Sequence, residues 1–352
     1  MATITLAGTV EEFLKTETIL SSDSHIMEPP DLWTSRLPAN LSSKLPTFGP
    51  RNGKNDGGWD PKQRVSEMKQ DGVSGEVLYH TLGLRLFAVE DRAAQEAAFQ
   101  AGNDYMAEYC SAAPDRLWGI GMIPCYDIKA AVTELERCKN MGLIGGMIWQ
   151  VPPEHLRFNT DHYEDLWAAA QNLDMPVNLH ILSGFNYSRY TSSNLPGMEA
   201  HRNSVNTKVH DAMTSIFDLV FSGVCERYPR LKFVLVENEL GWLPFVTHQW
   251  DRYVKRFGEK RPIPISELPS FYVDRQVYCT FIDDAPGAYL LSKFGTDNSM
   301  WSSDYPHDAS TWPNSGEVIA KDMDSLSPEV LRKVLRDNVA NLYSLKVPSP
   351  IQ

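Results

Sequence analysis

The sequence predicts a parallel (β/α)8 barrel, an α/β fold of the TIM-barrel type. Short apolar segments alternate with amphipathic helical segments along most of the 352 residues, as in parallel sheets with crossover helices. Eight apolar segments can be counted, which favours a closed barrel over an open sheet. An open doubly wound sheet is the alternative, but no G-x-G-x-x-G motif follows a predicted strand, so a dinucleotide site has little support.

The predicted elements follow one another with few breaks. The strands cover residues 19–25, 72–80, 116–124, 142–149, 175–181, 231–237, 276–282 and 298–304. The helices cover residues 61–70, 91–112, 127–140, 161–173, 209–225, 242–257, 285–293, 316–323 and 328–342. We expect a single domain over residues 1–352, with the barrel at about 19–343 and Gly- and Pro-rich or polar insertion loops at 31–60 and 183–207.

The composition is that of an ordinary globular protein and excludes several classes of partner. Hydrophobic residues make up 42% and charged residues 22% of the chain. A net charge of −12 argues against binding to nucleic acid or to an anionic membrane surface. The five cysteines have no C-x-x-C spacing and are expected to be reduced. No stretch reaches the ~18 apolar residues of a membrane span, so we place the protein in the cytoplasm.

Titratable residues stand at the ends of several predicted strands, where a (β/α)8 barrel has its active site. Asp23 and His25 end the first strand and point to the same side because they are two residues apart. His180 ends the fifth strand, Glu237 the sixth and Asp304 the eighth. Each has a structural alternative, as a turn Asp or a hydrogen-bonded His, but their convergence at one rim favours a metal centre. Imidazoles and carboxylates suit a divalent zinc, manganese or iron ion with water in an open position.

Three further polar residues accompany this set. His307 follows Asp304 in DYPH, where it is expected to orient the substrate or to reach the metal. His201, in the long loop after the fifth strand, is a candidate ligand for a second ion, with a solvated loop histidine as the alternative. Glu28, just beyond the first pair, can orient a ligating imidazole or belong to a Pro-rich turn.

Four longer motifs carry these residues: DSHIMEPPDLW at 23–33, YPRLKFVLVENELGWLPF at 228–245, SSDYPHDASTWP at 302–313 and NVANLY at 338–343. Together they resemble the amidohydrolase superfamily, specifically the amidohydrolase-related branch that contains aminocarboxymuconate semialdehyde decarboxylase and resorcylate-type decarboxylases. The resemblance extends over about residues 19–343. It implies a distorted (β/α)8 barrel that holds a catalytic divalent metal.

The resemblance also implies roles for individual positions. The first-strand ligand pair of the family falls on Asp23 and His25, its fifth-strand His on His180 and its eighth-strand Asp on Asp304. Asp23 stands where many members have His or Glu, and this short hard ligand favours manganese or iron more than an all-His site would. Glu237 stands where a His often acts in acid/base work. A Glu there can be a general base, bind metal, or bond to nearby backbone or Arg.

These features predict a metal-dependent hydrolase or decarboxylase that acts on a small organic acid or carbonyl compound. Asp304 would accept a proton from metal-bound water, with Glu237 as a second acid/base group. A binuclear iron or manganese oxygenase is the second hypothesis, because Glu237, Glu239, His201 and His307 exceed the needs of one ion. A non-catalytic barrel that partners an active paralogue is the third, although the intact ligand set argues against it. We expect a homodimer or an assembly with a paralogous subunit.

Overall fold

The fold is an eight-stranded parallel sheet, seen in a computed structural model, in which the strands stand in chain order. The structure describes residues 7–49, 56–185, 196–202 and 206–351. The strands are β1 Leu20–Ile26, β2 Gly75–His80, β3 Leu117–Met122, β4 Gly145–Val151, β5 Val177–Gly184, β6 Phe233–Val236, β7 Val277–Phe281 and β8 Ser299–Trp301. Each strand pairs in parallel with the next one along the chain.

The first and last strands meet at their carboxyl ends and close the barrel there. The amide of Asp304 donates to the carbonyl oxygen of Asp23 at 3.0 Å, and the amide of His25 donates to that of Tyr305 at 2.7 Å. Closer to the amino-terminal end of β1, the Ser22 hydroxyl lies within hydrogen-bond distance of two carbonyl oxygens of β8. The predicted (β/α)8 barrel is therefore confirmed.

Helices cover the outside of the barrel. They are α1 Ala7–Thr16, α2 Leu32–Arg36, α3 Ala39–Ser42, α4 Pro61–Asp71, α5 Arg92–Cys110, α6 Ile128–Asn140, α7 Glu164–Asn172, α8 Pro196–Arg202, α9 Lys208–Phe221, α10 Val224–Arg227, α11 Leu243–Phe257, α12 Pro269–Gln276, α13 Ala285–Leu290, α14 Ser315–Asp322, α15 Pro328–Arg332 and α16 Asn338–Leu342. A π-helical turn at Lys333–Asp337 joins the last two. Across the described ranges, no helix has both the length and the apolar character to cross a bilayer.

Local sequence signals explain where the central helices begin and end. Asp60, Asp91 and Asp127 accept hydrogen bonds from backbone amides in the first turns of α4, α5 and α6. Gly72 ends α4 in the left-handed conformation, with φ of 78°. These signals are readable in the sequence, and the predicted boundaries of the three helices agree with the structure to within one or two residues.

Other elements differ from the prediction. The predicted helix at 209–225 is two helices, because Gly223 adopts φ of 78° between α9 and α10. The prediction misses α1 and also α12, an eight-residue helix that runs directly into β7 without a turn signal between them. The insertion predicted at 31–60 contains α2 and α3. Residues 50–55, 186–195 and 203–205 of the two predicted loops lie outside the described residues. All five cysteines are buried free thiols, as predicted.

A buried ion pair ties the helix layer to the closing seam of the barrel. Nε of Arg64, in α4, lies 2.5 Å from Oε2 of Glu76 in β2, and both side chains are almost completely buried. The same guanidinium donates to the carbonyl oxygens of His25 at 2.6 Å and Tyr305 at 3.3 Å. Arg64 therefore bonds both sides of the seam between β1 and the segment that follows β8.

We expect Arg64→Met to lower the free energy of unfolding by about 3–5 kcal/mol, because it leaves the Glu76 carboxylate buried and unpaired. Urea denaturation followed by tryptophan fluorescence measures the loss. The matched control is Arg36→Met, which breaks a pair with Glu108 whose side chains are 33% and 59% exposed. That variant should lose less than about 1 kcal/mol. Equal losses in the two variants would contradict the importance of the buried pair.

Candidate metal centre

Strands β1 and β5 bring three predicted ligands to one point at the carboxyl end of the barrel. Nε2 of His25 lies 3.4 Å from Oδ1 of Asp23 and 3.1 Å from Nε2 of His180. Nε2 of His180 lies 3.7 Å from the same Asp23 oxygen. All three side chains are fully buried. The two-residue spacing on β1 therefore does place both side chains on one face, opposite the histidine of β5.

Each histidine is oriented by a backbone carbonyl. Nδ1 of His25 lies 3.1 Å from the carbonyl oxygen of His80, and Nδ1 of His180 lies 2.7 Å from that of Ile181. A carbonyl oxygen only accepts, so each imidazole donates its Nδ1–H. In the neutral form, Nε2 then carries the lone pair and faces Asp23. Metal-ligating histidines are held in this way, with the second ring nitrogen bonded to a protein acceptor.

The segment after β8 adds Asp304 and His307. Oδ1 of Asp304 lies 3.5 Å from Nε2 of His25 and accepts a hydrogen bond from Nδ1 of His307 at 2.8 Å. The His307 ring lies over the His25 ring, with 4.0 Å between centroids, and its Nε2 is 3.1 Å from the Thr81 hydroxyl. Burial lowers the pKa of His307, but the bond to Asp304 outweighs this and raises it to about 9. Asp304 itself has φ of 54°, a left-handed conformation that few residues other than Gly adopt, although Asp does so more readily than most.

Glu237 faces this cluster from the end of β6. Its backbone also has positive φ, 60°, and its amide donates to the Thr280 hydroxyl at 2.7 Å. The side chain is 18% exposed, so it lies on the side of the cluster that is open to solvent. Burial, and next the negative charge of Asp304, raise the pKa of Glu237 to about 7.

Lys208, which no sequence motif marks as a site residue, lies beside Glu237. Its Nζ atom, at the start of α9, is 4.0 Å from Oε1 of Glu237 and 3.3 Å from Oε1 of Glu239. The Lys208 side chain is only 12% exposed, so its charge acts mainly on these two carboxylates. No strand-end position marks this residue, because it follows the long loop after β5.

The residues present fit a divalent cation. Two overlapping groups have ligand atoms within 4.8 Å of one another: Asp23, His25, His180 and Glu237, and His25, Glu237, Asp304 and His307. Within the described residues, neither carboxylate oxygen of Asp23 has a hydrogen-bond partner, which is costly for a buried charge. Burial raises the pKa of Asp23, but His180 and His25 outweigh it and hold the pKa far below its usual range. Burial lowers the pKa of His25 to about 4, which keeps this imidazole neutral.

His201 does not join this centre. It is exposed on α8 and belongs to neither ligand group of the described residues. Strand register does not hold α8 at the barrel rim, which is the physical reason for the difference from Asp23, His25 and His180. The structure agrees with the alternative of a solvated histidine, which lies on a short helix of the predicted loop.

The chain is similar to known decarboxylases over most of its length. It is 25% identical over 279 residues to the gamma-resorcylate decarboxylase of Rhizobium sp. (strain MTP-10005), covering 73% of this chain and 79% of that protein. It is 25% identical over 262 residues to the 2-amino-3-carboxymuconate-6-semialdehyde decarboxylase of Dictyostelium discoideum, covering 70% and 67%.

A solved structure of the same fold is the dihydroxybenzoic acid decarboxylase of Polaromonas sp. JS666, with bound manganese and the inhibitor 2-nitroresorcinol. Its TM-score is 0.72 at 20% identity, covering 94% of this chain and 98% of that chain. The amidohydrolase family model matches residues 23–345, from the first candidate ligand pair to beyond α16. This protein is therefore an enzyme of the amidohydrolase family, as its motifs predict.

Proposed function

We propose that this protein is a metal-dependent decarboxylase of a small aromatic or similarly conjugated carboxylic acid. The observation that carries the proposal is the buried cluster of Asp23, His25 and His180 at the barrel mouth, where the Asp23 oxygens face two imidazole nitrogens but have no hydrogen-bond partner among the described residues. The relatives at 25% identity, named as decarboxylases of resorcylate and of a carboxymuconate semialdehyde, support this reaction over hydrolysis.

We assign the ion to Asp23, His25, His180 and Asp304, and we propose manganese as its identity. A carboxylate-rich ligand set suits this metal, and the Polaromonas enzyme of the same fold has manganese bound. When bound, the ion supplies a Lewis acid that stabilises negative charge on substrate oxygens.

An aromatic wall beside the cluster supports a flat, conjugated substrate. Trp149 pairs with His180 in the register of β4 and β5, so both side chains lie on the inner face of the barrel. The rings of Tyr126 and Phe185 pack edge-on against Trp149, at centroid distances of 5.1 and 6.1 Å. Such a wall binds an aromatic ring and excludes water from the carbon that must be protonated.

Glu237 is the group that we assign to proton transfer. In the net reaction the bond to the carboxylate carbon breaks, CO2 leaves, and the remaining carbon takes a proton in its place. The Glu237 carboxyl group is the partly exposed acid that faces His25 and Asp304, within reach of a substrate bound at the cluster. His307 is held through both ring nitrogens, by Asp304 and Thr81, and its pKa is raised to about 9, so it would bring positive charge beside a substrate carboxylate.

A second candidate function rests on the number of ligand-type residues. Six side chains form the two overlapping groups, which is more than one ion requires. This observation favours a two-ion oxygenase. Metal analysis after anaerobic preparation separates the two functions, because the oxygenase requires two redox-active ions per chain and consumes oxygen with its substrate. One ion and stoichiometric CO2 release support the decarboxylase.

We expect His180→Ala to weaken manganese binding by more than about 100-fold, since loss of a ligand exceeds the 10–100-fold cost of losing a residue that orients one. Titration of the metal-free protein with Mn²⁺, followed by electron paramagnetic resonance, measures the affinity. His201→Ala is the matched control and should bind Mn²⁺ like the wild type. Wild-type affinity in His180→Ala would show that the centre is assigned to the wrong residues.

We expect Glu237→Gln to lower kcat by about 10²–10⁴-fold without loss of bound metal, because the amide cannot deliver a proton. Release of CO2 from a panel of ortho-hydroxybenzoates, beginning with 2,6-dihydroxybenzoate, measures the activity. Glu239→Gln is the control, since Glu239 contacts the same lysine but belongs to neither ligand group. Loss of metal from Glu237→Gln would make Glu237 a ligand, and an unchanged kcat would exclude it from proton transfer.

We expect Lys208→Met to raise KM for the acid by about tenfold, because an anionic substrate then meets the nearby carboxylate of Glu239 without a compensating cation. Initial rates over a range of substrate concentrations give KM and kcat separately. Lys208→Arg retains the charge and should stay close to the wild-type KM. A KM unchanged in Lys208→Met would contradict this role.

A further inference from the structure

A buried carboxylate outside the ligand cluster organises the loop that follows β2. Glu28 is fully buried, and its Oε2 accepts hydrogen bonds from the amides of Leu82 at 2.9 Å and Thr81 at 3.3 Å. Its Oε1 accepts from the amide of Gly83 at 3.0 Å and lies 2.9 Å from Nδ1 of His80. A carboxylate only accepts, so the His80 ring donates this fourth bond. Four N–H groups of one short loop therefore converge on Glu28.

Glycines at two positions allow the loop after β2 to pack closely against the Glu28 carboxylate. A Cβ atom on Gly83 would lie 2.7 Å from Sδ of Met122 and 3.1 Å from Oε1 of Glu28. A Cβ atom on Gly102 would likewise lie 2.6 Å from Cε of Met122 and 3.4 Å from Cε1 of His80. Two glycines thus leave the room in which the loop backbone and the His80 ring approach the carboxylate.

The same loop supplies one hydrogen-bond partner to each of two histidines of the centre. The carbonyl oxygen of His80 accepts from Nδ1 of His25 at 3.1 Å. The hydroxyl of Thr81 lies 3.1 Å from Nε2 of His307. Both partners belong to residues that Glu28 itself contacts. A displacement of the loop would therefore release both rings.

We propose that Glu28 is a positioning residue of the metal centre, which fixes residues 80–83 so that they orient His25 and His307. Glu28 bonds to no ligand side chain directly; it acts through the His80 carbonyl and the Thr81 hydroxyl. The His80 carbonyl holds the Nδ1–H tautomer of His25 and so directs the Nε2 lone pair toward Asp23. The inference rests on the proposed metal centre.

The test is Glu28→Gln, which keeps the size of the side chain. Whichever way the amide faces, its NH2 group meets N–H donors of the loop, and these lose their acceptor. We expect the affinity of the metal-free protein for Mn²⁺ to fall by about 10–100-fold, measured by electron paramagnetic resonance titration. We expect kcat to fall with it, and KM to change little. A residue that served the fold alone would lower stability without changing metal affinity.

Glu134→Gln is the matched control for burial. Glu134 is 2% exposed and accepts hydrogen bonds from Asn103 at 2.6 Å and Arg137 at 2.8 Å, but has no bond to the centre. This variant should unfold at lower temperature and bind Mn²⁺ like the wild type. Thr81→Val removes one hydroxyl and leaves the His80 carbonyl in place. It should lower kcat by about tenfold and retain Mn²⁺ affinity.

The outcomes separate the two proposals. A wild-type protein that binds no Mn²⁺ overturns the metal centre and, with it, this role. If the wild type binds Mn²⁺ and Glu28→Gln binds it equally tightly, the metal centre stands and only the role of Glu28 is overturned. Should Glu28→Gln fail to fold, Gly83→Ala displaces the same loop while it retains the carboxylate. We expect the same 10–100-fold loss of Mn²⁺ affinity there, and wild-type affinity in Gly83→Ala also overturns the role.

Discussion

Two backbone hydrogen bonds join β1 to the segment that follows β8, from Asp304 to Asp23 and from His25 to Tyr305. Three of these four residues carry a candidate ligand, so the seam that closes the barrel also holds the candidate metal centre together. If the seam opened, the ligands on its two sides would separate. Arg64 bonds carbonyl oxygens on both sides from its buried pair with Glu76 and therefore stabilises the fold and the ligand geometry together.

The centre concentrates negative charge where solvent cannot compensate it. Asp23 and Asp304 are buried on either side of His25, and Glu237 adds a third carboxyl group at the opening. Buried charges of like sign are costly unless something pairs with them. Two side chains offset part of this cost: His307 hydrogen-bonds Asp304, and the Lys208 ammonium group lies near Glu237. The oxygens of Asp23 face the imidazoles of His25 and His180 but have no hydrogen-bond partner among the described residues, and a cation between these groups best completes the site.

The sequence predicts the strands and the site residues whose positions are set by strand register. It does not predict the site residues that loops and helices supply. Buried parallel strands are continuous apolar runs, so all eight were located to within a few residues. Because strand ends converge on one rim, the sequence alone predicts that Asp23, His25 and His180 lie together. It does not predict Lys208, because the approach of this residue to Glu237 depends on the path of the chain after β5. The position of His201, a candidate ligand in the sequence, depends on the same path, and its side chain is exposed.

The difference between strand-end residues and residues from loops and helices also explains why the metal ligands alone do not determine which reaction the enzyme catalyses. The candidate ligands come from β1, β5 and the segment after β8, whereas the groups that we propose to act on the substrate come from elsewhere: Glu237 follows β6, and Lys208 begins α9. An ion at the rim stabilises charge on an oxygen whether water attacks the substrate or CO2 leaves it. Decarboxylation needs a proton delivered to carbon in a site that excludes water. Glu237, whose pKa is raised to about 7, and the aromatic wall at Trp149 would meet these two conditions, which supports the proposed decarboxylation over hydrolysis.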